Sequence, residues 1–217
     1  MFNEIENKIM QEEWGGSSWG GEEETPNNKE EKRTHRRKTE CKELSLKYEY
    51  KRAHSEVALI DCLGMDDFKE GYSYNFITSG DVDALSYLKL VIRHQPKLHH
   101  LIASTWCISA EDILQLRMWV EAGVIDTLDM YVGEIFPSSY RVEWDMLQAM
   151  YKELKCGRIC FFRNHSKIFA GIGDKYAFGI QLSANFNTNP RTENGCITID
   201  KGLYDFYKNY FDGINSF

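Results

Sequence analysis

The apolar positions change their period several times along the chain, and each change predicts an element. Tyr72–Thr78 (YSYNFIT) reads as a strand, and Ser79-Gly80-Asp81 then predicts a helix start. Val82, Leu85, Leu88 and Ile92 follow at helical spacing. His100–Thr105 predicts a second strand. Ser109 with Asp112 forms a capping box, and Ile113, Leu116 and Val120 carry the helix to Gly123 as its C-cap. Leu128–Val132 predicts a third strand. Pro137-Ser138-Ser139 opens a helix with Tyr140, Trp144, Leu147, Tyr151 and Leu154 on one face, ending near Gly157. Arg158–Arg163 (RICFFR) predicts a fourth strand.

Strands alternating with helices imply βα units, so the expected fold class is α/β, a mixed, mostly parallel β-sheet flanked by helices. After Phe162 the pattern changes. Ser166–Ala170 and Tyr176–Leu182 flank Gly171-Ile172-Gly173-Asp174, which predicts a β-hairpin. A strand at Cys196–Ile199 and a helix from Leu203 to about Phe211 complete an antiparallel C-terminal end.

Composition divides the chain into two parts. Residues 1–42 are poor in aliphatic side chains and rich in Gly, Asn, Glu and Lys, which predicts a flexible charged tail. Within it, Trp14 and Trp19 sit in a small Trp-Gly-Gly repeat, and KRTHRRK (residues 32–38) is a basic run suited to phosphate. Residues 43–217 are the expected catalytic domain; Ser45–Cys62 is ambiguous between helix and strand. The whole chain is 42% hydrophobic with a net charge of −7, which excludes a fully disordered chain and argues against broad electrostatic binding. Six cysteines in 217 residues exclude a small disulfide scaffold. No apolar run reaches the ~18 residues of a transmembrane helix. The acidic first segment lacks the apolar stretch of a secretory signal, so a cytoplasmic, non-membrane protein is expected.

The residues that can carry chemistry cluster late in the chain: His165 and Lys167, then Ser183 and Asn185, then Glu193. On a strand, residues two apart share a face, so a paired hairpin would converge an imidazole, an ammonium, a hydroxyl and a carboxamide. Such a set suits a phosphodiester: cation and dipoles hold the oxygens, and the imidazole attacks or moves a proton. Glu193 can orient and polarise an imidazole. Arg191, and more weakly Asn187, are further candidates for substrate binding; for both, a polar loop is the simpler reading. Cys156, Cys160 and Cys196 read as buried thiols rather than a zinc site, so neither metal nor other cofactor is expected. His99-His100 beside Pro96-Lys97 reads as a surface turn, and Asp81 and Asp83 as helix-start acids.

The run His165-x-Lys167, Ser183-x-Asn185 and Glu193 resembles the signature of the phospholipase D superfamily, most closely its small, single-motif, nuclease-like members from bacteria, phages and mobile elements. The resemblance is strongest over Arg163–Phe211 and extends through the βα pattern back to about Tyr72. It implies the phospholipase D-like fold and a metal-independent, two-step phosphodiester cleavage. One histidine attacks phosphorus to give a phospho-histidine; a second protonates the leaving oxygen and then activates water. The chain departs from the pattern at Ile172, where the family places an Asp, and at Leu182, where it places a Gly. Two readings stand for the nearest acid, Asp174: a substitute for the family Asp or, more simply, a turn residue.

The chain has one such motif, whereas the family builds its site from two, so a homodimer that brings two copies of His165 together is expected. The expected function is cleavage of nucleic acid, as a DNA endonuclease, with a protein partner for the tail as a further expectation. The alternative is a catalytically impaired domain used for DNA binding or assembly. Phosphatidyl transfer on lipid is a weaker third option.

Overall fold

A computed structural model describes Leu59 and residues 68–78, 82–187 and 191–215. The expected flexible tail, its Trp and basic runs, the ambiguous Ser45–Cys62 stretch (apart from Leu59) and the helix start at residues 79–81 lie outside the described residues. From residue 68 on, the described residues hold seven strands and five helices in order: β1 (Ser73–Thr78), α1 (Ala84–His94), β2 (Leu98–Ser104), α2 (Ala110–Glu121), β3 (Leu128–Gly133), α3 (Phe136–Ser139), α4 (Arg141–Leu154), β4 (Ile159–Phe162), β5 (Ile168–Gly173), β6 (Ala177–Leu182), β7 (Glu193–Ile199) and α5 (Lys201–Asp212).

The strands form one sheet in the order β1-β7-β6-β5-β2-β3-β4. Only β2–β3 and β3–β4 pair in parallel; β1–β7, β7–β6, β6–β5 and β5–β2 are antiparallel. The expectation of a mostly parallel sheet is therefore corrected. Parallel pairing needs a crossover helix for every strand, and the chain supplies them only through β4. Beyond it, short connections fold β5 and β6 back on each other, and β5 docks antiparallel against β2.

Local chemistry sets the element ends. The Ser109 hydroxyl accepts the Asp112 amide at 3.2 Å and starts α2, as its capping pattern predicts. The Asp200 carboxylate accepts the Leu203 amide and starts α5. Gly171-Ile172-Gly173 lies inside β5 rather than in the hairpin turn, which tightens to residues 174–176. A side chain at Gly173 would meet the Lys97 carbonyl at 2.2 Å, so this position serves close strand approach instead of turning.

One face of the sheet is covered by α1, α2 and α4, whose Leu85, Leu88, Ile113, Leu116, Leu147 and Met150 share the main core with Leu101, Phe169, Phe178 and Ile197. Phe169 stacks on Phe186 with centroids 4.2 Å apart. Helix α5 covers the opposite face, burying Tyr204, Tyr207 and Phe211 against Ile102, Tyr131 and Ala170. Burying each such side chain is worth about 1.5–3 kcal/mol, so both layers are firmly held.

His100 is not in a surface turn but inside β2, mostly buried. Its Nδ1 lies 2.7 Å from the Tyr204 hydroxyl and its Nε2 3.1 Å from the Asp129 carboxylate, so long-range partners draw it inward. Cys156 and Cys160 are buried free thiols, whereas Cys196, expected to be buried with them, is a half-buried one on β7. Among the described residues no helix is long and apolar enough to cross a membrane.

Candidate active site at the strand ends

The topology gathers one end of every central strand along a single sheet edge. Parallel strands β2, β3 and β4 finish there, β5 and β7 begin there, and β6 returns there. Backbone groups that leave a sheet at such an edge are free to present side chains to a ligand. His165, Lys167, Ser183, Asn185 and Glu193 all fall on it.

Asn164, 5% exposed, builds the platform beneath His165. Its amide nitrogen donates to the Ser104 hydroxyl at 3.0 Å, the Tyr131 carbonyl at 3.1 Å and the Thr105 carbonyl at 3.2 Å. Its side-chain oxygen accepts the Ser166 amide at 3.0 Å and the Ser166 hydroxyl at 2.7 Å. One carboxamide thus ties the ends of β2 and β3 to the segment that carries His165. The sequence offered the type of residue but no clue to the partners of its amide nitrogen, which are 33 to 60 positions away.

His165 is exposed, whereas Lys167 is buried to 8% exposure. The Lys167 ammonium lies 2.9 Å from Nδ1 of His165 and donates to the His165 carbonyl at 2.7 Å. Both residues precede β5, so a backbone wrap and not strand alternation brings them together. The same ammonium is 3.5 Å from Nε2, so it stands against the imidazole rather than on one ring nitrogen alone. Burial pulls the Lys167 pKa below its ordinary 10.5, against the opposing fields of Cys107 and Glu193.

Ser183, just past β6, donates its hydroxyl to the Glu193 carboxylate and accepts the Asn194 amide at 2.9 Å. The register sets Leu182, rather than Ser183, beside Lys167: the Leu182 amide donates to the Lys167 carbonyl at 3.0 Å. The Asn185 side-chain oxygen is shielded from solvent and has no hydrogen-bond partner among the described residues. Asn187 is half-buried and its side-chain amide faces the Cys107 sulfur at 3.9 Å, while Arg191 is exposed at the start of the segment leading into β7. Asp174 sits beyond the opposite end of β5, paired with His99 at 2.8 Å, and is a turn residue. Six residues of strand separate it from the site, about 20 Å.

Two residues that pattern reasoning missed complete the edge. Trp106, directly after β2, places its indole centroid 5.9 Å from the His165 ring and 6.3 Å from Tyr140. Gly133, the last residue of β3, makes room for it: a Cβ there would meet Trp106 Cδ1 at 2.4 Å. The available signal was position alone, a tryptophan and a glycine at the carboxyl ends of adjacent parallel strands. Cys107 beside them is buried, and burial raises its thiol pKa, with the Tyr140 hydroxyl acting in the other direction.

The chain matches no family model and no curated protein sequence. Among solved structures it is similar to polyphosphate kinase from Porphyromonas gingivalis, with 11% identity and a TM-score of 0.50. That match covers 65% of this chain and 26% of the kinase. It is also similar to phosphatidylserine synthase from Haemophilus influenzae Rd KW20, with 12% identity and a TM-score of 0.46, over 64% of this chain and 37% of the synthase. The chain therefore spans only a quarter to somewhat over a third of these proteins. The first likeness shows the fold: the chain has the phospholipase D-like α/β arrangement.

Proposed function

We propose that the chain is a metal-independent phosphodiesterase that cleaves nucleic acid, a DNA endonuclease acting through a homodimeric site. The observation that carries this reading is the exposed His165 imidazole held by the Lys167 ammonium at the sheet edge where Ser183 and Glu193 are joined.

In the first step a nitrogen of His165, turned from its resting contact with Lys167, attacks phosphorus. A nitrogen–phosphorus bond forms, and the bond to the leaving oxygen breaks. The partner subunit's His165 gives that oxygen a proton. In the second step the same partner imidazole takes a proton from water, whose oxygen attacks phosphorus and releases His165. Lys167, Ser183 and Asn185 hold the non-bridging oxygens, where charge grows in each transition state. Glu193 polarises the Ser183 hydroxyl and supports the imidazole, while Asn187 and Arg191 contact the flanking strand.

The test is nicking of plasmid DNA in excess EDTA, run beside a mass measurement in solution. Cleavage that persists in EDTA, is lost in His165→Ala and accompanies a dimer mass supports the proposal. EDTA-sensitive cleavage rejects the mechanism.

Leu182 in place of the family glycine favours a second reading, a phospholipase D-like domain that binds DNA or assembles a complex without turnover. Intact DNA binding with no cleavage by the wild-type protein would support it.

A further inference from the structure

Attack on a phosphodiester requires nothing aromatic, yet an indole stands beside the proposed nucleophile. Trp106 is only partly buried. Its neighbours fix it without covering it in parallel: the His165 ring is tilted 44° to the indole and Tyr140 meets it at 79°. Elsewhere the fold does stack rings flat, as with Phe136 on Tyr140 at 17° and Phe169 on Phe186 at 8°. The Gly133 amide donates to the Trp106 carbonyl at 3.1 Å, and any side chain at Gly133 would collide with the edge of the indole. The result is a rigid aromatic wall 5.9 Å from the imidazole. At that separation a base joined to a phosphate held at His165 is within reach of the indole.

We propose that Trp106 is a stacking platform for an unpaired nucleobase next to the attacked phosphate, which makes single-stranded DNA the preferred substrate. The inference rests on the phosphodiesterase reading and adds the substrate's form to it. A base inside a duplex is already stacked on both faces and offers none to an indole; an unpaired base offers a whole face and is indifferent to sequence. Trp106 is a specificity-determining residue here, and the chemistry remains with His165.

The experiment compares three substrates: a single-stranded oligonucleotide, the same strand with tetrahydrofuran abasic residues around the scissile phosphate, and the duplex. The wild-type protein cleaves the base-bearing single strand fastest. Trp106→Ala lowers its kcat/KM about tenfold or more, the usual weight of one stacked base, and changes cleavage of the abasic strand by less than about twofold. Trp106→Phe retains most of the preference. A Trp106→Ala protein that slows base-bearing and abasic strands equally has lost only support for His165, and that result overturns the platform. Binding gives a second readout that is independent of turnover: 2-aminopurine beside the scissile position is quenched by the wild-type protein and not by Trp106→Ala. Quenching without any cleavage sinks the endonuclease and leaves the platform standing. Equal 2-aminopurine emission with the two proteins overturns the platform itself.

Discussion

The Lys167 ammonium donates to the His165 carbonyl at 2.7 Å and lies 2.9 Å from Nδ1 and 3.5 Å from Nε2 of its ring, so one buried cation fixes where the exposed imidazole stands. The charge-assisted bond to the carbonyl is worth about 1.5–3 kcal/mol, enough to hold the segment in place while the ring can still turn.

That pairing predicts an alkaline limit to activity. Burial holds the Lys167 pKa below 10.5, so the charged form carries a folding penalty that is present below the folded pKa and relieved as pH rises through it. Activity, which needs the ammonium, runs the other way: kcat/KM falls with an apparent pKa below 10.5. Lys167→Arg moves that limb to higher pH, and Lys167→Met lowers the rate about a hundredfold at neutral pH. A pH–rate profile of the three proteins checks both statements.

Asn164 predicts a coupled loss of stability and rate. Its five hydrogen bonds satisfy groups at the ends of β2 and β3 and on the His165 segment, and Asn164→Ala removes the bonds to the Thr105 carbonyl and the Ser166 amide, while the Ser104 and Ser166 hydroxyls keep each other. The expected cost is about 2–4 kcal/mol in urea unfolding. At temperatures where the variant is still folded, kcat falls more than the affinity for DNA, because the imidazole loses its platform.

These two residues also mark how much could be read from the sequence. The order of strands and helices was legible because caps and apolar periods are local, as at Ser109–Asp112. Strand direction was not, since alternation is the same for parallel and antiparallel neighbours. His165 and Lys167 were legible as a spacing, although a backbone wrap before β5 joins them and not the strand alternation expected. Trp106, Asn164 and His100 stayed hidden because their meaning lies in partners far along the chain: Gly133, Tyr131 and Tyr204.

Gly133 predicts a packing defect with a functional signature. A methyl group there would overlap Trp106 Cδ1, so Gly133→Ala displaces the indole at a cost of about 1–3 kcal/mol. Near-ultraviolet circular dichroism should show the change in the indole environment, with cleavage reduced while the far-ultraviolet spectrum stays native.

Asp129 predicts an acid-sensitive anchor on the opposite face of the sheet. Burial pushes its pKa up, but the His100 ring and the Arg158 amide outweigh it and hold the carboxyl below 3.8. Arg158 in turn donates to the Phe211 carbonyl at 2.9 Å and pins the end of α5. The stabilisation is complete above the unfolded carboxyl pKa of 3.8 and is lost as pH falls through the lower folded value. Asp129→Asn should therefore lower the urea midpoint at neutral pH, with the gap to wild type closing below pH 3.8.

The central claim is that His165 carries the phosphoryl group during cleavage. The most direct measurement is an alkaline denaturing quench during turnover in EDTA, followed by peptide mass spectrometry. The account predicts an oligonucleotide joined through phosphorus to the His165 ring, absent from His165→Ala. Cleavage that proceeds with no adduct on His165, and that stops when EDTA removes divalent metal, would contradict it.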